Sequence, residues 1–439
     1  MKFDNYFLEA KKQGIKELEL SLSKEYSLSF SFFRGEVESY STSNVSTLSA
    51  RGTYNNRAGY VNTEVIDRST LNYIIEKIKE NASVNNSSDE VIIFKGSEKY
   101  QKKNVYNPKL SRISIEEKMS LIKELENRIK KSDKRITDIE LGYSESTNEY
   151  NLMNSYGLNL KSKSNYCSIY AQVVAVGSDS ETKTGFKIFT DNDLDKFDID
   201  EFVDKVVDAT ISQLNGGPCL SKKYKAVLNP DVTASLMNFF ISNAIADEVQ
   251  KNTSLFKGKL NQLVASKKVT IEERPLDKNP FFRYFDDEGV ATYNKKIVKN
   301  GRLETYLYNL ATAKKDGVES TGNGYRGSGK VSTSTTNIVL KPGNKTEAEL
   351  FALVQEGIYI TDVEGLHAGM NSQSGNFSLQ AKGYLIENSR RAAPVCLITV
   401  AGNLFKLFKE IKEVGNNSER IGETTASSVY IKELAVSGI

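Results

Sequence analysis

Between positions 286 and 403 the sequence carries short clusters of carboxylates, asparagines and glycines. They are Asp286-Asp287-Glu288-Gly289, Lys299-Asn300-Gly301, Ser320-Thr321-Gly322-Asn323-Gly324, Asn371 with Ser374-Gly375-Asn376-Phe377-Ser378, Gly383-Tyr384-Leu385-Ile386-Glu387-Asn388, and Ala401-Gly402-Asn403-Leu404. Asp286, Asp287 and Glu288 could form an acid/base pair or offer oxygens to Ca²⁺ or Mg²⁺; adjacent carboxylates on a turn diverge, so a hydrogen-bonded turn closed by Gly289 is the competing reading. Asn371, Asn376 and Asn403 suit turns first and hydrogen bonds to a substrate second. Gly322-x-Gly324-x-x-Gly327 matches a dinucleotide fingerprint, and Gly324 to Gly329-Lys330 nearly matches a phosphate loop. Both lack their context: Val331 stands where Ser or Thr would hold Mg²⁺, residues 314–320 are polar rather than strand-like, and residues 331–340 have β composition rather than that of a helix. What remains is a glycine-rich loop where backbone must approach something closely. The chain has one histidine, His367, in Gly365-Leu366-His367-Ala368-Gly369-Met370. Only Asp362 and Glu364 lie near it in sequence, so no Ser/His/Asp or Cys/His nucleophile set can be assembled. An ordinary surface or hydrogen-bonded histidine is its plain reading.

In their order these clusters resemble the TldD/PmbA family, once called modulators of DNA gyrase. The resemblance covers the C-terminal half, and reaches the N-terminal half through Arg34-Gly35-Glu36-Val37-Glu38 and Arg57-Ala58-Gly59. It implies a cytosolic two-subunit metallopeptidase in which a TldD-type chain holds zinc on a His-Glu-x-x-x-His helix and a PmbA-type (TldE) chain pairs with it. Such a helix sets two imidazoles one turn apart on a single metal, with glutamate to activate its water. Counting back without gaps from Ser254-Leu255-Phe256-Lys257-Gly258, which resembles the segment after that helix, Met237, Asn238 and Ser242 stand at the His, Glu and His positions. A single histidine cannot supply two ligands, and the thiolate ligand implied near the C-terminus of TldD-type chains has no counterpart after Cys396. The resemblance therefore implies a PmbA/TldE-type subunit with no catalytic residue, metal ligand or cofactor of its own, zinc in a TldD-type partner, and unfolded peptide enclosed between the two. Gly322, Asn323, Gly324, His367, Asn371 and Asn376 are the implied peptide- or partner-binding residues, the glycines leaving backbone free to pair with an extended peptide as an added strand. Two alternatives stay open: a self-sufficient metallopeptidase with an Asp/Glu site, or acting as a homodimer when alone, and a gyrase- or DNA-associated regulator.

The elements that must position these residues can be read from composition and periodicity. At 439 residues the chain exceeds one ordinary core. The composition, 39% hydrophobic and 26% charged, is that of a globular protein. With 59 basic against 56 acidic residues, no field favours nucleic acid or a membrane surface. Lys2, Asp4, Glu9, Lys11 and Lys12 interrupt the start, so no signal-peptide region is expected there. Asn238, Ser242 and Asn243 interrupt the most apolar stretch, residues 236–245, short of the roughly 18 residues a membrane helix needs. Cys167, Cys219 and Cys396 are odd in number and far apart, which fits a reducing cytoplasm and neither a disulfide framework nor a thiolate metal knuckle.

Helices are expected at 3–12, at 69–80, from a Ser114/Glu117 capping box to 132, at 199–214 and at 230–249; strands at 18–22, 27–32, 61–66, 136–146, 150–154, 157–164, 166–176, 181–190 and 224–228. Polar residues 81–110 read as a linker, and Gly216-Gly217-Pro218 as a stop. The expectation is an α+β protein: an N-terminal α/β unit (1–110), a middle α+β domain (111–220), and a strand-rich C-terminal domain (221–439) with one buried helix.

Overall fold

The computed structural model describes residues 3–85, 91–178, 180–326 and 331–439, an α+β architecture with no helix, among those residues, long and apolar enough to cross a membrane. Its first half is one six-stranded antiparallel sheet. Strands β1 (Glu17–Phe33), β2 (Glu36–Tyr54) and β3 (Arg57–Thr63) form one meander, and β4 (Ile136–Asn154), β5 (Asn159–Val176) and β6 (Thr182–Asp191) a second. The order is β3-β2-β1-β4-β5-β6, with β1 and β4 as the antiparallel seam from Glu19 opposite Asn154 to Phe33 opposite Glu140. Helices α1 (Asp4–Lys12) and α2 (Thr70–Val84) flank the first meander, and α3 (Ile115–Ser132) and α4 (Ile199–Ile211) the second. A helix, three strands and a helix thus occur twice, and the antiparallel seam relates the two units by an approximate two-fold.

Each pair of helices covers one end of the long strands. Leu18 and Leu20 of β1 pack with Ile74, Ile75 and Ile78 of α2, while Leu28, Phe30 and Phe32 of the same strand pack with Ile122, Leu125 and Ile129 of α3 and Val206 of α4. The alternation that predicts two strands, 18–22 and 27–32, belongs to one: Lys24, Glu25 and Tyr26 between them are exposed, since neither helix pair reaches the middle of β1. The expected breaks in β4 and β5 are likewise absent. Gly59 of β3 is required by close approach, because a Cβ there would lie 2.1 Å from the Ile78 carbonyl oxygen of α2. The capping box of α3 forms as expected, Ser114 Oγ accepting from Glu117 N at 3.2 Å and Glu117 Oε2 from Ser114 N at 2.8 Å.

The second half holds strand β7 (Lys222–Leu228) and helix α5 (Pro230–Ser242). β7 is central in a sheet ordered 390–403, 376–387, 357–364, β7, 429–437, 411–414, and pairing of 390–403 with 429–437 closes it into a ring. A second sheet of short strands includes 271–273, 338–340 and 424–426. α5 lies against both sheets, burying Val232, Leu236, Met237, Phe240 and Ile241. Asn229 caps it by accepting from Val232 N at 2.9 Å, Pro230 supplies a first turn that needs no donor, and Phe240 stacks on Phe408 with centroids 4.1 Å apart. The helix expected over 230–249 stops at Ser242, and a separate turn runs Ala246–Gln250. Asn243 makes the break: its Nδ2 donates to the Phe239 carbonyl and its Oδ1 accepts from Leu255 N.

Candidate functional site

Read from the sequence, the zinc-helix positions fall on α5, so these three residues come first. Met237 is 0% exposed in the core. Asn238 faces outward, its Oδ1 accepting from Thr424 Oγ1 at 2.8 Å, and Ser242 Oγ turns back onto the Phe239 carbonyl at 2.8 Å. Zinc takes thiolate, imidazole or carboxylate. A buried thioether, an engaged carboxamide and a hydroxyl bonded to its own helix do not fit that ion. Among the described residues no group of three or more His, Cys, Asp or Glu side chains could hold a metal.

The carboxylate and glycine clusters meet in the interior. Asp286, fully buried, accepts from Glu288 N at 3.0 Å and Val290 N at 2.9 Å through Oδ1, and from Gly324 N at 2.8 Å through Oδ2. This is the turn reading of the cluster, with Gly289 at φ +86°. Asp287 points the other way, pairing with Arg283 and accepting from Arg326 N at 2.7 Å. Glu288 turns inward like Asp286, caps residue 310 by accepting from Leu310 N at 2.7 Å, and lies 3.9 Å from Arg51. Burial pushes the Asp286 carboxyl well above the usual carboxylate range, Glu288's charge adds to this, and the three N–H donors oppose it. Burial also raises Glu288, against the pull of Arg51.

Gly322, Asn323 and Gly324 are buried beside this turn. The close approach expected of the glycines is made within the chain: a Cβ at Gly322 would lie 2.9 Å from the Ala291 carbonyl oxygen, and one at Gly324 2.4 Å from Glu288 Oε2. Asn323 donates to Glu273 Oε1 at 2.7 Å and to the Ser334 carbonyl at 2.8 Å, and accepts from Lys295 Nζ at 3.2 Å. Glu273, 0% exposed, also accepts from Lys295 Nζ at 2.5 Å and from Thr336 N at 3.0 Å. Gly327, Gly329 and Lys330 of the glycine-rich stretch lie outside the described residues.

His367, Asn371 and Asn376 are exposed and lie together at one end of the closed sheet. His367 is on a single helical turn, Leu366–Gly369, entered through Gly365 at φ +77°. Asn371 Oδ1 accepts from Gln373 N and Ser374 N, and Asn403 bridges the loop by donating to Asn376 Oδ1 at 2.9 Å. Of the six sequence-implied binding residues, the structure thus gathers three on one exposed loop and seats the other three inside.

Sequence reasoning missed the charges that join the two halves. Glu19 of β1 accepts from Arg51 Nε at 2.6 Å and Nη2 at 3.1 Å, and from Arg326 Nη2 at 2.7 Å. A polar residue between Leu18 and Leu20 reads as the solvated side of a strand; here that side is covered by the second half, and no local pattern announces it. Beside this junction a cleft of about 580 Å³ opens between Ser21, Tyr150 and Ser162 of the long sheet and the 280–287 loop, with Lys102, Lys103 and Arg283 on its walls.

Family models described as the PmbA/TldA metallopeptidase C-terminal domain, central domain and domain 1 match residues 221–438, 108–214 and 18–82. The chain is 27% identical over 401 residues to a metalloprotease of Methanocaldococcus jannaschii, covering 88% of this chain and 86% of that one. It is 23% identical over 432 residues to the metalloprotease PmbA of Escherichia coli O157:H7, covering 96% and 92%. A crystal structure from Thermotoga maritima, of a protein described as a modulator of a DNA gyrase, matches with a TM-score of 0.92 at 30% identity over 99% of both chains. Three family domains in order and a shared fold along nearly the whole length place it: the chain belongs to the PmbA/TldD metallopeptidase family.

Proposed function

We propose that this chain is the PmbA/TldE-type subunit of a two-chain peptidase: it holds no zinc, pairs in the cytoplasm with a TldD-type chain that does, and helps enclose unfolded peptides for hydrolysis at the partner's metal. One observation carries the reading. The helix that would present two imidazoles and a glutamate presents Met237 to the core, Asn238 to Thr424 and Ser242 to its own backbone, and the chain's only histidine lies elsewhere, on the exposed Leu366–Gly369 turn. The name of the Escherichia coli relative, metalloprotease PmbA, supports the subunit type. Contacts to peptide or partner then fall to the loop of His367, Asn371 and Asn376, while Gly322, Asn323 and Gly324 act from inside by seating the carboxylates of Asp286, Glu288 and Glu273.

The test is reconstitution. Purified alone, the chain is expected to carry no stoichiometric zinc by elemental analysis and to leave casein fragments intact; mixed with a TldD-type chain it is expected to co-elute and hydrolysis to appear. One zinc per chain, or digestion by the chain alone, overturns the reading.

A further inference from the structure

On the face that the long sheet turns to the second half, successive cross-strand rungs change character. Leu152 of β4 and Leu160 of β5 stand opposite each other and pack with Leu276, Phe282, Tyr284 and Phe285. Two residues along on the same face, Thr47, Ser23, Tyr150 and Ser162 stand opposite one another across β2, β1, β4 and β5. Neighbouring strands lie about 4.8 Å apart, so this is a row of four hydroxyls roughly 14 Å long. It floors the cleft of about 580 Å³ beside the Glu19 junction, whose size falls within the roughly 300–1,000 Å³ of ligand sites. The hydroxyls of Thr47, Ser23 and Ser162 bond no other described residue.

The charges on the walls do not cancel. Glu149 is paired with Lys163 at 2.9 Å, Asp287 with Arg283 at 3.4 Å and Arg326 with Glu19 at 2.7 Å, and Glu423 lies in the field of Arg283. Lys102 and Lys161 line the cleft, are exposed, and have no acidic partner among the described residues. Tyr284 draws them together: Lys102 Nζ lies 5.8 Å from its ring centroid, and its hydroxyl donates to the Lys161 carbonyl at 2.5 Å. Lys103, held on the Leu276 carbonyl at 2.8 Å, adds a third positive charge. Unanswered ammonium groups above a row of free hydroxyls ask for an anionic ligand with a polar backbone. The rings that back the cleft, Phe282, Tyr284 and Phe285, are 7%, 4% and 5% exposed, so they present little face on which the bases of a nucleic acid could stack.

We propose that this cleft binds an unfolded peptide rich in acidic side chains: its carboxylates pair with Lys102 and Lys161, and its backbone N–H and C=O groups bond along the row from Thr47 to Ser162. The choice of a peptide rests on the subunit reading above, while the preference for acid rests on the lysines. A subunit without zinc then selects which peptides are enclosed.

The experiment follows the fluorescence anisotropy of a short labelled Ser-Glu repeat peptide on the full chain alone, beside a Ser-Gln repeat of equal length. At low salt the Ser-Glu repeat is expected to bind at least about tenfold tighter, with the preference shrinking as salt screens the lysines. Lys102→Gln with Lys161→Gln is expected to weaken it about tenfold at an unchanged melting temperature, and Arg at both positions to hold the affinity within about threefold. Lys130→Gln with Lys131→Gln, the same loss of charge on the exposed end of α3, is the control and is expected to change the affinity by no more than about twofold. Absent binding or equal affinity for the two repeats in the wild-type chain overturns the proposal, whether or not the variants fold. So does a control pair that weakens binding as much as the cleft pair. An oligothymidylate that binds tighter than the Ser-Glu repeat and is weakened by the cleft pair also overturns it, and assigns the cleft to nucleic acid. The measurement needs neither zinc nor a second chain, so its failure leaves the reconstitution result standing, and failed reconstitution leaves the measured preference standing.

Discussion

Replacing Glu19 with Gln tests whether the two halves of the molecule are joined by charge. The Glu19 side chain is 0% exposed, and the guanidiniums it serves, Arg51 and Arg326, are 5% and 12% exposed. Gln keeps one acceptor and removes the negative charge, leaving two nearly desolvated cations with Glu288, 3.9 Å from Arg51, as the nearest anion. Breaking a buried pair from one side costs about 3–5 kcal/mol, because the surviving charge stays buried without compensation. Against a typical stability of about 5–15 kcal/mol that is a large fraction. With a urea dependence of roughly 3 kcal/mol per molar or more for a chain of this size, the unfolding midpoint should fall by about 1 M. Asp200→Asn is the control: its pair with Arg128 has side chains 77% and 39% exposed, where such a change is worth under about 1 kcal/mol. Urea unfolding followed by tyrosine fluorescence and by circular dichroism gives both midpoints. If Glu19→Gln shifts the midpoint no more than Asp200→Asn does, the junction is held by apolar packing alone and the electrostatic reasoning fails.

Asp286 and Glu288 both have folded-state values above those of the unfolded chain, so their contribution to stability is fully present below the ordinary carboxylate range and is lost as pH rises through the raised values. Asp286→Asn should therefore flatten the fall in stability as pH rises above the ordinary carboxylate range, whereas Asp133, lowered to about 2 by Arg135, contributes in the opposite sense and is lost only as pH drops toward that value; urea titrations across the range distinguish the two slopes. Gly324→Ala places a Cβ 2.4 Å from Glu288 Oε2, a carboxylate oxygen already held by Leu310 N, and should cost about 1–3 kcal/mol by thermal unfolding, while Gly217→Ala, with nothing within 4 Å, should stay within about 0.5 kcal/mol.

What could be read from the sequence was whatever is decided within one turn or one strand. The Ser114 capping box, the apolar face of α2, the turn at Asp286-Gly289 and the buried character of α5 all depend on neighbours a few residues away. β2 was not legible: from Glu36 to Val45 every residue is exposed, its Ser and Thr carry no alternation, and the strand exists because β1 pairs along its length. The end of α5 depends on Asn243 reaching Leu255, twelve positions on, which helix periodicity does not contain. The site divided in the same way. That Gly322 and Gly324 needed close backbone approach was visible; that Ala291 and Glu288 lie that close required the fold.

That division bears on what keeps α5 and the carboxylate and glycine clusters in place. Helix α5 carries a partly exposed polar stripe, Asp231, Ser235, Asn238 and Ser242, with no imidazole or thiolate in it, while Met237 adds an apolar side chain to the core, a burial worth roughly 1.5–3 kcal/mol. The helix is held by that apolar side, whatever stands on its exposed stripe. Asp286, Glu273 and Asn323 are bound by a different rule. Each meets several partners inside the protein, so a change at any one leaves a buried N–H or charge unanswered. What α5 presents on its exposed stripe and the integrity of the glycine and carboxylate turns are thus separable in this fold, because the second rests on other residues.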